Sequence, residues 1–291
     1  MTQPRSQLVD PTQAGTFHCV NRCVRRSWLC GLDKYLGKSF EHRKSWVEAR
    51  VLELGAIFAC GIHAWAVMSN HLHIVVHMSP ATANAWTPDE VAARWVRLYP
   101  ARNTELCAQK IAAILENPEI VAEYRARLAN LSWLMKSLSE PIARKANAED
   151  KVTGRFWEGR FGCQALLREK SILAAMAYVD LNPVRAKIAS NIATSRYTSV
   201  KMRNQQLLKN PERAHQQLMP LVGVRSFNLP SISAADYTEL VDFTGRKLHP
   251  GKRGKIAVSE PKALLIFRSL VSLVNFSRFT LRLRIRIPNF A

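Results

Sequence analysis

Acidic residues are scarce in this 291-residue chain: 22 Asp and Glu stand against 42 Lys and Arg, a formal charge of +20 at pH 7. Such an excess concentrates polyanions at the surface without dictating a fold, so nucleic acid is the first partner class to consider. Long apolar runs are missing as well. The longest, residues 263–276, carries Arg268 and falls short of the roughly 20 apolar residues that a membrane span needs. No membrane association is expected. The opening residues hold Pro4, Arg5, Asp10 and Pro11 and lack an apolar h-region, which predicts a cytoplasmic, nucleoid-associated location. Cysteine occurs six times in scattered positions, and the spacing of Cys19 and Cys23 lacks both the tightness of a zinc knuckle and a downstream partner pair. Free thiols are the expectation. No internal repeat is visible. What is abundant is apolar residue, at 47% of the chain, which suffices for a packed core and excludes disorder. At about 150 residues per domain, the length suggests two domains or one with a large insertion.

Charge divides the chain. Residues 80–150 hold nine bases and nine acids, whereas residues 151–203 hold ten bases and three acids. The first stretch reads as neutral packing and the second as a working surface. Alternation over residues 16–23 predicts a strand, and the spacing of Leu36, Phe40, Trp46, Val47, Val51 and Leu54 predicts a helix over 35–58. Residues 59–68 and 71–78, rich in Val, Ile, Ala and Trp around Ser69-Asn70, predict a hairpin. Two or three helices follow in residues 80–150, for example over 89–98 and 120–145, with an N-cap signal at Thr87 before Pro88. Residues 161–167 predict a further strand, and 170–181 a helix that Pro183 ends within about a residue. A short helix is expected over 233–243. The order β, α, β, β, insertion, β, α defines an α+β class: a ferredoxin-like split βαβ antiparallel sheet with helices on one face. The sheet domain would comprise residues 1–79 and 151–200, with a helical insertion at 80–150. Beyond residue 201 the pattern weakens, leaving a C-terminal region over 201–260. Residues 261–291 have six bases and no acid, and Leu281 to Ile287 alternates strictly with Arg282, Arg284 and Arg286. That tail is either a basic ribbon or an ill-ordered terminus.

Two constellations carry chemistry. In Asn70-His71-Leu72-His73-Ile74-Val75-Val76, residues two apart on a strand share a face at roughly 6 to 7 Å, so His71 and His73 can converge on one ion while Leu72 and Ile74 face a core. His77 shares that face by parity but lies about 20 Å from His71, outside the same site. An H-x-H pair also occurs as hydrogen-bonded structural histidines. Val75 and Val76 exclude the H-x-H-x-D-H metallo-hydrolases and the histidine-triad nucleotide hydrolases. In Ala177-Tyr178-Val179-Asp180-Leu181-Asn182-Pro183, the four-residue spacing puts Tyr178 and Asn182 on one helix face. A phenol there can act as a nucleophile and an amide can complete a metal's coordination. Equally, Tyr178 could be half-buried for packing and Asn182 a C-cap.

Taken together, AWAVMSNHLHIVVH (64–77), GRFWEGRFGCQALL (154–167), AYVDLNPVRA (177–186) and FHCVNRCVRR (17–26) resemble the single-tyrosine transposases of the HUH superfamily, and within them the REP-associated branch. The resemblance implies that His71 and His73 hold Mg²⁺ or Mn²⁺, that Tyr178 is the nucleophile and that Asn182 is a third ligand. Imidazole ordinarily prefers Zn, Cu or Ni, a tension that oxygen ligands from Asn182, water and phosphate would moderate. It further implies transesterification of single-stranded DNA through a 5′-phosphotyrosine. The substrates would carry hairpins such as REP-like palindromes, and the protein would be a monomer or a homodimer. Residues 237–256 are similar to an accessory region of longer members of the family, a resemblance that implies DNA contact or packing for the C-terminal region. Arg22, Arg25, Arg26, Arg155, Arg160, Arg168 and Arg185 supply candidate DNA contacts. Trp157, between Phe156 and Phe161, either stacks an unpaired base or anchors its loop. A catalytically silent hairpin-binding protein remains an alternative, and so does an unrelated metal-dependent phosphoesterase or RNA-binding domain.

Overall fold

The computed structural model describes residues 9–24, 29–33, 37–225, 229–247, 251 and 254–260. Arg25, Arg26 and the basic tail at 261–291 lie outside the described residues.

The central sheet is antiparallel, and its outer strands come from distant parts of the chain. Strand β1 is Gly15–Arg22; a two-rung hairpin, β2 (Leu32–Asp33) and β3 (Lys38–Ser39), precedes helix α1 (Arg43–Ile57). Strands β4 (Cys60–Val67) and β5 (His71–Met78) form the expected hairpin across Ser69-Asn70. The insertion follows as α2 (Pro80–Asn84), α3 (Pro88–Leu98), α4 (Thr104–Leu115), α5 (Pro118–Leu128) and α6 (Leu131–Asp150). Strand β6 (Gly162–Ala165) and helix α7 (Glu169–Arg185) return the chain to the sheet. The accessory region contributes α8 (Ser199–Lys209), a 3₁₀ turn (Pro211–His215), β7 (Gln217–Leu218), β8 (Val222–Gly223), β9 (Leu229–Ser233) and α9 (Ala234–Arg246). In space the five strands run β6-β1-β5-β4-β8.

Alternation along β5 sorts its side chains. Leu72, Ile74 and Val76 join one core with Val47, Val51 and Leu54 of α1 and with the apolar residues of the insertion. Each is at most 1% exposed, and burying such a side chain contributes roughly 1.5 to 3 kcal/mol. Val75, with Ala64 and Ala66 of β4, belongs to a second core under α7, α8 and α9. The α+β class and the antiparallel sheet are as expected. α1 and the insertion lie together on one face; the helical layer over the reverse face is what the split βαβ pattern lacked.

Several boundaries differ from expectation for local reasons. The helix expected over 35–58 begins only at Arg43, because Gly37 adopts φ 65° between β2 and β3 and the chain there is a tight hairpin. The single helix expected over 120–145 is two, since the Asn130 side chain accepts from the N–H groups of Ser132 and Trp133 and starts α6 afresh. Thr87 does cap α3, in a reciprocal box with Glu90. Pro183 does not stop α7, which runs on to Arg185. Proline removes one helical N–H, and the following turn recovers: the Pro183 carbonyl accepts from Ile188 and Ala189. Asn182 is thus inside the helix, not its C-cap.

The accessory region packs. Its Val222 and Gly223 pair with Ile62 and Gly61 as the fifth strand, and Gly254 approaches α7 so closely that a Cβ would sit 1.9 Å from the Val184 carbonyl oxygen. Among the described residues, no helix is long and apolar enough to cross a membrane. All six cysteines are free thiols, as the spacing predicted.

Candidate active site

Pairing register builds the site from two strands and one helix. Arg22 lies opposite His71, Val20 opposite His73 and His18 opposite Val75. Directly opposed residues point the same way, so His18 and Arg22 share the face of His71 and His73. That face is covered by α7, and the ring of Tyr178 stands 5.7 Å from His73 and 6.1 Å from His18, edge-on to both. His71 and His73 are 4.8 Å apart and nearly perpendicular. The expected convergence of a strand pair of imidazoles with a helix-borne phenol is therefore present. His77 shares the face but is elsewhere, as distance along the strand required: its Nδ1 meets the Thr16 hydroxyl at 2.9 Å.

The hydrogen bonds around the two imidazoles bear on metal binding. His71 Nδ1 lies 2.7 Å from Asn70 Oδ1. An amide oxygen only accepts, so Nδ1 donates and the lone pair of a neutral ring is on Nε2. His73 Nδ1 faces His18 Nε2 at 3.0 Å, with the rings stacked. Metal-ligating histidines commonly donate through the second nitrogen to such a partner. Asn182, four residues beyond Tyr178, keeps a buried amide nitrogen with no hydrogen-bond partner among the described residues. An unsatisfied buried amide N–H is costly, and an acceptor oxygen of a ligand or substrate beside it would relieve that cost. Among the described residues no three His, Cys, Asp or Glu side chains converge as a metal site. The side chains that the fold brings together here are two imidazoles, with the Asn182 amide one helical turn beyond the phenol.

His18 was not among the residues singled out from the sequence. The signal was present: Phe17 and Cys19 point to one core, so alternation sends His18 to the other face. Only the pairing register reveals what it meets there. Burial pushes its imidazole down to about 4, so the ring is neutral at pH 7.

The basic residues divide. Arg22 is exposed at the end of β1. The loop carrying Arg155 and Arg160, both exposed, docks against that end: Glu158 N–H donates to the Arg22 carbonyl, Val24 N–H to the Phe156 carbonyl, and Cys23 bridges Trp157. Arg168 is exposed just before α7. Arg185 is different. It is 8% exposed, and its guanidinium donates to the carbonyls of Thr244, Lys247 and Gly254. It staples the C-terminal segment to α7, a correction to its expected place among the DNA contacts. Trp157 is partly buried against the core and donates from Nε1 to the Ser139 carbonyl at 2.9 Å, and Phe156 is 5% exposed; the loop-anchor alternative accounts for both.

No family model matches the chain, and no curated protein matches it. Among solved structures, a REP-associated tyrosine transposase bound to a REP hairpin is similar at 12% identity, with a TM-score of 0.43; the match covers 78% of this chain and 99% of that chain.

Proposed function

We propose that this protein is a single-strand DNA endonuclease and strand transferase that acts on hairpin-containing DNA through a 5′-phosphotyrosine intermediate. The observation that carries the reading is the meeting of the Tyr178 ring with the His18 and His73 rings, beside His71, on a basic sheet end. Its four sequence blocks, resembling REP-associated tyrosine transposases, support the same reading.

In the proposed step the Tyr178 hydroxyl oxygen attacks a backbone phosphorus in line with the departing 3′ oxygen. A phosphorus–oxygen bond to tyrosine forms, the bond to the 3′ oxygen breaks, and the phenolic proton ends on the 3′-OH. Phosphodiester energy is retained, so a 3′-OH can reverse the attack and join strands without a nucleotide cofactor. Mg²⁺ or Mn²⁺ held by His71, His73 and Asn182 would supply charge stabilisation at the phosphate. The chain's own residues do the rest. Residues 172–177 and 179 of α7, all buried, hold the helix and hence the phenol in place. Asn70 and His18 orient the two imidazoles. Arg22, Arg155, Arg160 and Arg168 offer cations to the strand, with Arg25 and Arg26 adjoining them in sequence. The protein would work in the cytoplasm at the nucleoid, on REP-like palindromes.

The test is incubation with a hairpin oligonucleotide and Mg²⁺ followed by a denaturing gel. Wild type should give a covalent protein–DNA species that Tyr178→Phe abolishes while hairpin binding persists. Absence of the adduct in wild type would leave a silent hairpin-binding protein. Hydrolysis that survives Tyr178→Phe but disappears in His71→Ala or His73→Ala would indicate a metal-dependent phosphoesterase instead.

A further inference from the structure

Away from the tyrosine site, α8, the 3₁₀ turn, β7 and the start of α9 border a half-open cavity of about 180 Å³. Its polar lining consists of Arg203, Arg213 and Arg225 with Gln206, Gln216 and Gln217, and no acidic residue takes part. The space is large enough for a tetrahedral anion and part of its hydration. The cavity is separate from the catalytic face. Leu221, in its wall, donates its N–H to the Ile62 carbonyl, and Ile62 pairs with Val76. Three residues of strand separate Val76 from His73, about 10 Å.

Arg203 is the informative member. It is 5% exposed and holds the carbonyls of Met219 and His63 through its two terminal nitrogens. Its Nε is buried without a hydrogen-bond partner, and no carboxylate pairs with it among the described residues. The nearby carboxylate, Asp180, is occupied by Ser199, Tyr237 and the Val200 N–H. Arginine stays protonated at any physiological pH, so its charge is carried into the interior, offset by the two carbonyl dipoles, the attraction of Asp180 and the Tyr237 ring 5.5 Å away. Arg213 and Arg225 are exposed at the rim. Guanidinium groups and glutamine amides present N–H donors, the complement of a phosphate's acceptor oxygens. A carboxylic acid ligand would use fewer of them.

We infer that this cavity is a phosphate site, seating either one internucleotide phosphate of a DNA strand that runs beyond the tyrosine centre or a free phosphate compound. The DNA source rests on the function proposed above; the phosphate chemistry does not.

The experiment compares wild type with the double variant Arg213→Gln/Arg225→Gln, whose exposed positions leave the fold intact. Thermal unfolding is followed while inorganic phosphate replaces chloride at matched ionic strength. A saturable rise in Tm for wild type, at least threefold weaker in apparent affinity in the double variant, is expected. No rise in wild type, or the same rise in both proteins, overturns the inference. A second arm measures hairpin oligonucleotide binding by fluorescence anisotropy. A loss of about tenfold in the double variant, with a shallower salt dependence, assigns the phosphate to DNA; unchanged DNA affinity assigns it to a free phosphate compound. Failure to form the Tyr178 adduct would remove the proposed enzymology and leave the phosphate response readable.

Discussion

His18 Nε2 and His73 Nδ1 lie 3.0 Å apart across β1 and β5, one ring donating and the other accepting. Whichever ring donates fixes the tautomer of the other. If His73 donates from Nδ1, its Nε2 carries a lone pair suited to a cation; if His18 donates, Nε2 of His73 bears hydrogen and repels one. The arrangement makes His18 a positioning residue for the proposed metal site. His18→Leu should weaken Mn²⁺ binding to the DNA-free protein by about 10-fold or more, the usual effect of removing such a partner. His18→Gln, whose carbonyl can accept from His73, should recover much of it. Electron paramagnetic resonance of free Mn²⁺ reads both, and equal affinity in all three proteins would reject the role.

Arginines that look alike in sequence should separate by measurement. Arg185→Met removes three hydrogen bonds to the Thr244, Lys247 and Gly254 carbonyls and leaves those oxygens unsatisfied, at about 1 to 3 kcal/mol each before relaxation. Urea unfolding should show a loss of several kcal/mol. Arg22→Ala and Arg168→Ala, at exposed positions, should leave stability within about 0.5 kcal/mol and lower hairpin affinity, with a salt slope smaller by roughly 1 each. A stable Arg185→Met with weakened DNA binding would reverse this assignment.

Much of this pattern was legible before any coordinates. The H-x-H spacing and the four-residue interval from Tyr178 to Asn182 are local periodicities, and local periodicity survives in a bare sequence. So do the Thr87 cap and the β4–β5 turn at Ser69-Asn70. What stayed hidden depends on long-range pairing. His18 acquires its role only from the β1–β5 register, and Arg185 only from segments about 60 residues later in the chain. Val222 and Gly223 are too short a run to read as a strand, yet they close the sheet edge beside β4. Pro183 misled for a different reason: the packing of α7 against two strands and α9 outweighs one lost helical hydrogen bond.

Acid should unfold the protein partly through histidines unrelated to catalysis. Burial pushes His77 down to about 4 and His63 down to about 3, from the ordinary value near 6.5. The unfolded chain therefore binds these protons first as pH falls. Stability conferred by the neutral rings is full above about pH 6.5 and is lost progressively toward pH 4 and 3. For His77 the shift corresponds to at most ~3 kcal/mol. His77→Asn, which keeps an acceptor for the Thr16 hydroxyl, should flatten the fall of the urea midpoint between pH 6.5 and 4. A variant profile parallel to wild type would exclude the contribution.

Asp180 is the buried centre that ties the accessory region to the tyrosine helix. It is 0% exposed, two residues after Tyr178 and on the side of α7 away from the phenol. One carboxylate oxygen accepts from the Ser199 hydroxyl and the Val200 N–H of α8; the other accepts from the Tyr237 hydroxyl of α9 at 2.6 Å. Burial raises the Asp180 pKa, against the lowering by these donors and by Arg203. Asp180→Ala would strip two hydroxyls and an N–H of their acceptor in the interior, a change on the order of 3 to 5 kcal/mol. Asp180→Asn keeps acceptors for α8 and lets the Tyr237 hydroxyl turn and accept, so it should cost less than half as much. Because both helices brace α7, the alanine variant should also lose the covalent DNA adduct at temperatures where it is still mostly folded by circular dichroism. Adduct formation at the wild-type rate in a destabilised but folded Asp180→Ala would show that α7 holds Tyr178 in place without them.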